Sequence, residues 1–154
     1  MKVYTLRAHQ TLPISVEAAW EFFSDPRNLE RITPPSMGFE VRSELPPTMH
    51  AGMIVTYRVR PLLGVPVNWV TEITHVDEPV FFVDEQRFGP YRFWHHQHRF
   101  VPVSGGTEVS DLVHYALPPL PGAGIARRLL VGPRLHEIFR HRREVLSHHF
   151  GTLE

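Results

Sequence analysis

The 154-residue chain has no cysteine, no net charge and no long apolar run. Without cysteine there is no disulfide, no thiolate nucleophile and no cysteine-ligated metal, and a reducing cytoplasm fits such a chain. Lys+Arg and Asp+Glu balance at 16 each, so no basic field holds nucleic acid or acidic lipid. No stretch approaches the about 20 apolar residues of a membrane-spanning helix. Met1-Lys2-Val3-Tyr4 runs into alternation and not into the apolar block of a leader. No repeat, linker or low-complexity segment is visible, and Leu153-Glu154 is given no structural weight.

What is present suits an ordinary globular protein, with 42% hydrophobic and 21% charged residues. The length fits one domain with a sizeable core, placed at residues 1–152. The 11 histidines make the chain cationic below neutral pH.

Val3 to Leu12 alternates and reads as a first strand. Ser15 is a good N-cap for a short helix, Val16 to Phe23. Asp25 or Ser24 caps a second, Pro26 to Ile32, with proline at its first position. Trp20, Phe22 and Phe23 read as core packing. Six short strands follow: 39–42, 52–60, 67–76, 80–88, 91–102 and 107–117, joined by turns rich in Gly, Pro and Asp. Such a series forms an antiparallel meander. Ala123 to Phe150 reads as one long helix, with a kink or a short preceding helix at Gly132-Pro133. Its apolar stripe is Ile125, Leu129, Gly132, Phe139, Leu146 and Phe150, widened by Val131, Leu135, Ile138 and Val145, with Arg and His on the other side. The expected fold is therefore α+β: a seven-stranded antiparallel curved sheet, two short helices and a long C-terminal helix over one face.

The stretch Phe93-Trp94-His95-His96-Gln97-His98-Arg99-Phe100 organises the interior. Side chains alternate along a strand, so Trp94, His96, His98 and Phe100 share one face. By the same rule Phe82, Asp84, Gln86 and Phe88 share a face, as do Val109, Asp111, Val113 and Tyr115. If all three faces look toward the helix, Asp84, Gln86, His96, His98 and Asp111 form a polar band within an aromatic cage. Space between sheet and helix is then a pocket with apolar walls and few polar groups.

The blocks Pro13 to Leu29, Trp69-Val70-Thr71-Glu72-Ile73, Phe82-Val83-Asp84-Glu85-Gln86 and Gly89 to Phe100, followed by Gly105-Gly106-Thr107 and Asp111, carry a family likeness. Through them nearly the whole chain resembles the START/SRPBCC ligand-binding superfamily of helix-grip proteins. Within it the chain is most similar to a bacterial branch labelled polyketide cyclase/dehydrase-like or cell-division-inhibitor-like. The resemblance implies a cavity for a hydrophobic or amphipathic small molecule, lipid- or polyketide-like. Some relatives join such a domain to a nucleotide-sugar-epimerase-like one; no G-x-G-x-x-G is present here.

The polar band admits four readings. His–Asp hydrogen bonds satisfy one another and fix the sheet register. Alternatively, the band meets the polar head of a ligand held by Trp69, Phe82, Gln86, Trp94, Tyr115 and Phe139. His96-x-His98 with Asp84 or Asp111 also matches zinc chemistry, but the spacing assures no third ligand, and no metal or cofactor is assigned. Finally, His96 or His98 acts as a base oriented by Asp84 or Asp111, in a cyclase/dehydrase-type enzyme. No activated nucleophile is evident, since Ser104 and Ser110 lie outside the band. Small-molecule binding is the first expectation and the enzyme the second. The third is a partner-binding accessory domain with a filled core. The loops at 62–66 and 118–121 either pack together or rim the pocket, where Arg127, Arg128 and Arg134 would meet an acidic ligand or partner.

Overall fold

The structure, a computed structural model, describes residues 1–153; Glu154 lies outside them. Strand β1 (Tyr4–Leu12) leads into helices α1 (Val16–Phe23) and α2 (Pro26–Arg31) and a 3-10 turn, Pro35–Met37. Strands β2 (Glu40–Val41), β3 (Ile54–Val59), β4 (Val67–Asp77), β5 (Phe81–Phe88), β6 (Phe93–Val103) and β7 (Gly106–Ala116) follow. The chain ends in α3 (Ala123–Ala126), a π-helical turn (Arg127–Val131) and α4 (Gly132–Phe150). The strands form one antiparallel sheet in the order β1-β7-β6-β5-β4-β3-β2. This is the expected helix-grip architecture.

Local chemistry explains the boundaries. Ser15 Oγ accepts the Ala18 N–H, and Asp25 Oδ1 accepts the Arg27 N–H, so each short helix begins at a side-chain cap. β1 joins β7 closely at its end. A Cβ on Gly106 would lie 2.1 Å from the Leu12 carbonyl oxygen, so only glycine permits that approach. Leu153 sits beside this turn, near Gly105 and Gly106, and thus takes part in the packing after all.

The apolar rows of the sheet bury against the helices. Trp20 of α1 stands edge-on to Phe82 and Phe100, at 5.8 and 6.0 Å between ring centres. Such pairs contribute about 1 kcal/mol each beyond their burial. Val131 and Leu135 close on Leu6, Trp94, Val113 and Tyr115. A third cluster, Met53, Val55, Tyr57, Val59 and Ile73, fills the β3–β4 side.

The C-terminal segment departs from the expected stripe. From Gly132 onward the inward set is Gly132, Leu135, Arg142 and Leu146, with Ile138, Phe139, Val145 and Phe150 half-buried. Before it, Ile125 and Leu129 are 67% and 65% exposed. The cause is the π turn, where the Gly132 N–H bonds to the Arg127 carbonyl five residues back. One extra residue in a turn rotates everything before it by roughly 100° about the axis. The second departure is Arg142, which is buried although Arg and His were expected to face outward.

Candidate functional site

Between the sheet and α4 lies a cavity of about 180 Å³. Phe82, Trp69, Trp94, Tyr57 and Phe139 form much of its wall, and Asp84, His96 and His98 give it a buried polar cluster. The pairing register explains this grouping. Asp84 lies opposite His96, Phe82 opposite His98, and His98 opposite Asp111, on three adjacent strands. With a period of two, all of these point to the same side.

The two imidazoles lie between the two carboxylates. Their ring centres are 3.8 Å apart. His96 Nε2 is 2.8 Å from Asp111 Oδ1, and His98 Nε2 is 2.5 Å from Asp84 Oδ2. The remaining nitrogens face the opposite carboxylates: His96 Nδ1 is 3.5 Å from Asp84 Oδ2, and His98 Nδ1 is 3.3 Å from Asp111 Oδ1. From α4, Arg142 Nη1 reaches to 3.4 Å from Asp111 Oδ1. Its guanidinium also lies over Phe23 and Phe139. Phe82 stacks on His98 at 4.0 Å.

Burial alone would neutralise all four groups. For Asp111 it is outweighed by the charge of Arg142 and by hydrogen bonding to the imidazoles, so its carboxyl stays well below the usual range. Asp84 is lowered too, because His96 and His98 offset its burial. Burial and the neighbouring His98 hold His96 below its ordinary value. Burial also acts against His98, yet Asp111 and Asp84 outweigh it and raise its pKa. Burial pushes the Tyr57 hydroxyl up, with the charge of Asp84 adding to it, so this phenol remains a neutral donor on the wall.

The comparisons decide the family. Residues 12–139 match the family described as "Polyketide cyclase / dehydrase and lipid transport". The chain belongs to this family. The aromatase/cyclase Zhui from Streptomyces sp. R1128 superposes with a TM-score of 0.75 at 14% identity, over 96% of this chain and 93% of that one. Protein CV1439 from Chromobacterium violaceum gives 0.72 at 14% identity, over 97% and 99%. Protein Ms6760 from Mycobacterium smegmatis gives 0.66 at 21% identity, over 97% and 98%. At these identities the likeness is one of fold. A comparison with curated proteins gives no match.

In this polyketide cyclase/dehydrase-family chain, Trp69, Phe82, Asp84, Trp94, His96, His98 and Phe139 line the cavity. Three residues of the expected set do not. Asp111 lies behind the imidazoles, beside a second, smaller cavity that also touches Arg142. Tyr115 is buried against Tyr4 and Tyr91, and its hydroxyl accepts from Arg127 Nε at 3.3 Å. Gln86 closes the β5–β6 turn: its Nε2 donates to the Tyr91 carbonyl at 2.7 Å, and its Oε1 accepts the Tyr91 N–H at 3.1 Å. A Cβ on Gly89 would come within 2.6 Å of that Oε1, so a larger residue there would push the Gln86 side chain out of these two bonds. The pairing of β5 with β6 ends at Glu85, which frees Gln86 from the band, and an extra residue in β5 between the partners of Thr71 and Val70 turns Phe88 outward, 65% exposed.

Of the basic rim, Arg134 lines the cavity and bonds to Glu137, Ser36 and the Pro61 carbonyl. Arg127 is instead engaged with Tyr4 and Tyr115. Tyr57, the buried Thr71 and Arg142 also line the cavity and lie outside the expected set. Alternation of Val55, Tyr57 and Val59 in β3 carried a usable signal for Tyr57, whereas nothing local marks Arg142 as buried. Among the described residues no helix is long and apolar enough to cross a membrane.

Proposed function

We propose that the protein binds a compact, ring-bearing amphipathic molecule between the sheet and α4, with its polar end toward Asp84, His96 and His98. The observation that carries this reading is the cavity itself, walled largely by aromatic rings with a buried polar cluster at Asp84, His96 and His98. Its aromatic walls suit a ring system. About 180 Å³ is close to the roughly 150 Å³ of an engineered cavity that takes up benzene. A cavity of this kind also counts against the accessory-domain reading, which needs a filled core.

Native mass spectrometry of the full chain purified from cells tests the proposal. A retained small-molecule mass is expected, and it is lost in Ile138→Trp, which fills the space from α4. A bare mass, together with no uptake of planar aromatic phenols, would overturn the reading.

Cyclase/dehydrase-type catalysis is the second reading. It is supported by two imidazoles that each touch a carboxylate, with both rings lining the cavity. His96→Ala separates the two readings: turnover is abolished if the protein is an enzyme, and binding is only weakened if it is a carrier.

A further inference from the structure

The imidazole–carboxylate quartet contains more acceptors than its close contacts can satisfy with neutral rings. All four ring nitrogens face a carboxylate oxygen, at 2.5, 2.8, 3.3 and 3.5 Å. Two neutral imidazoles carry only two N–H groups between them. Placing these on His96 Nε2 and His98 Nε2, where the contacts are shortest, leaves both Nδ1 lone pairs facing carboxylates. His98 Nδ1 is the single buried side-chain polar atom without a hydrogen bond among the described residues. Such an orphan is costly until Nδ1 carries a hydrogen. Either a second proton on the ring supplies it, or a cation bound at His98 Nε2 shifts the ring's own proton to Nδ1.

We infer that Asp84, His96 and His98 form a binding site for a divalent transition-metal ion, with zinc as the fitting probe. One ring nitrogen from each of His96 and His98 and an Asp84 oxygen lie within 4.8 Å of one another, and the nitrogens that face Asp84 are His96 Nδ1 and His98 Nε2. A zinc ion bonded to nitrogen and oxygen at about 2.0–2.1 Å in a tetrahedron spaces its ligands about 3.3 Å apart. The His96–Asp84 separation of 3.5 Å already fits, and the His98–Asp84 separation of 2.5 Å has to open. Two imidazoles and one carboxylate suit a borderline ion, whereas magnesium and calcium call for an all-oxygen set.

Asp111 strengthens the assignment. Histidines that bind a metal donate their other N–H to a carboxylate, which fixes ring and tautomer. Asp111 Oδ1 faces the outer nitrogen of both rings, His96 Nε2 at 2.8 Å and His98 Nδ1 at 3.3 Å, and is itself held by Arg142. With the metal on His98 Nε2, the proton of that ring moves to Nδ1 and points at Asp111, so the orphan disappears. All three metal-binding residues line the main cavity, so the fourth position of the ion is reached from there. A carbonyl or enol oxygen in the cavity is then within reach of a Lewis acid.

The test is calorimetric titration of zinc alone into the chelator-treated full chain. One zinc per chain is expected, with affinity unchanged when the exposed His148 and His149 are both replaced by Gln. Asp84→Asn or His98→Gln should weaken binding at least about 100-fold, and Asp111→Asn about 10- to 100-fold. Circular dichroism reports whether each variant folds. If one does not, X-ray absorption on the zinc-loaded wild-type chain decides. A shell of two imidazoles plus oxygen supports the site, and any other ligand set overturns it. Absence of stoichiometric binding, or binding indifferent to Asp84→Asn, also overturns it. The cavity reading is untouched by that failure, because its own test is retention of an organic mass.

Discussion

Both faces of β6 carry histidine and an aromatic ring and use them differently. On the outer face, Phe93, His95 and Gln97 are half-buried and Arg99 is exposed, with His95 lying 6.3 Å from His114. On the inner face, Trp94, His96, His98 and Phe100 are buried, and each imidazole contacts two carboxylates. An imidazole beside water needs no protein partner, because water serves. A buried one must find its partner in the fold, so the inner histidines are tied to Asp84 and Asp111 and the outer one is free.

That contrast can be broken first at Arg142. Arg142→Met removes the cation facing Asp111 and leaves a buried carboxylate under-compensated. A loss of about 3–5 kcal/mol in urea unfolding is expected; a change below about 1 kcal/mol would show that the imidazoles alone suffice. Comparing His98→Ala with His95→Ala measures the two faces directly. The inner change should cost about 2–3 kcal/mol, the outer one under about 0.5 kcal/mol.

Gln86→Ala sharpens the boundary of the site. The side chain serves a turn and not the cavity, so stability should fall by about 1–2 kcal/mol while retention of the bound mass is unaltered. Asp25 supplies a smaller effect than Gln86, a carboxylate whose hydrogen bonds lie at the surface. Asp25→Ala should cost about 1 kcal/mol at neutral pH. Its hydrogen bond with Arg27 lowers its pKa below 3.8, so that contribution is present above 3.8 and is lost as pH falls through the lower folded value. Wild type and variant should therefore converge in stability at low pH.

Much of the site could be read along the strands. A period of two sends every second side chain to one face, so Trp94, His96, His98 and Asp84 were placed inward without any knowledge of pairing. The same rule misplaced Gln86, because β5 separates from β6 after Glu85 and alternation says nothing of where a ladder ends. It grouped Tyr115 with the cavity, although the face it shares with Asp111 packs on the N-terminal part of the helix. The helical stripe was right within α4 and wrong ahead of it, since one π turn, unmarked in the composition, resets the phase.

The order of residues by itself determined the strand–helix plan, the family and the inward direction of His96 and His98, because these follow from local periodicity and from blocks of adjacent residues. Tertiary structure decided which nitrogen faces which carboxylate, brought Arg142 of α4 against Asp111 of β7, and left His98 Nδ1 without a partner. Those outcomes depend on register between strands and on the rotation of a helix over a sheet. Both are set by contacts between residues far apart in the chain, where local pattern carries no information.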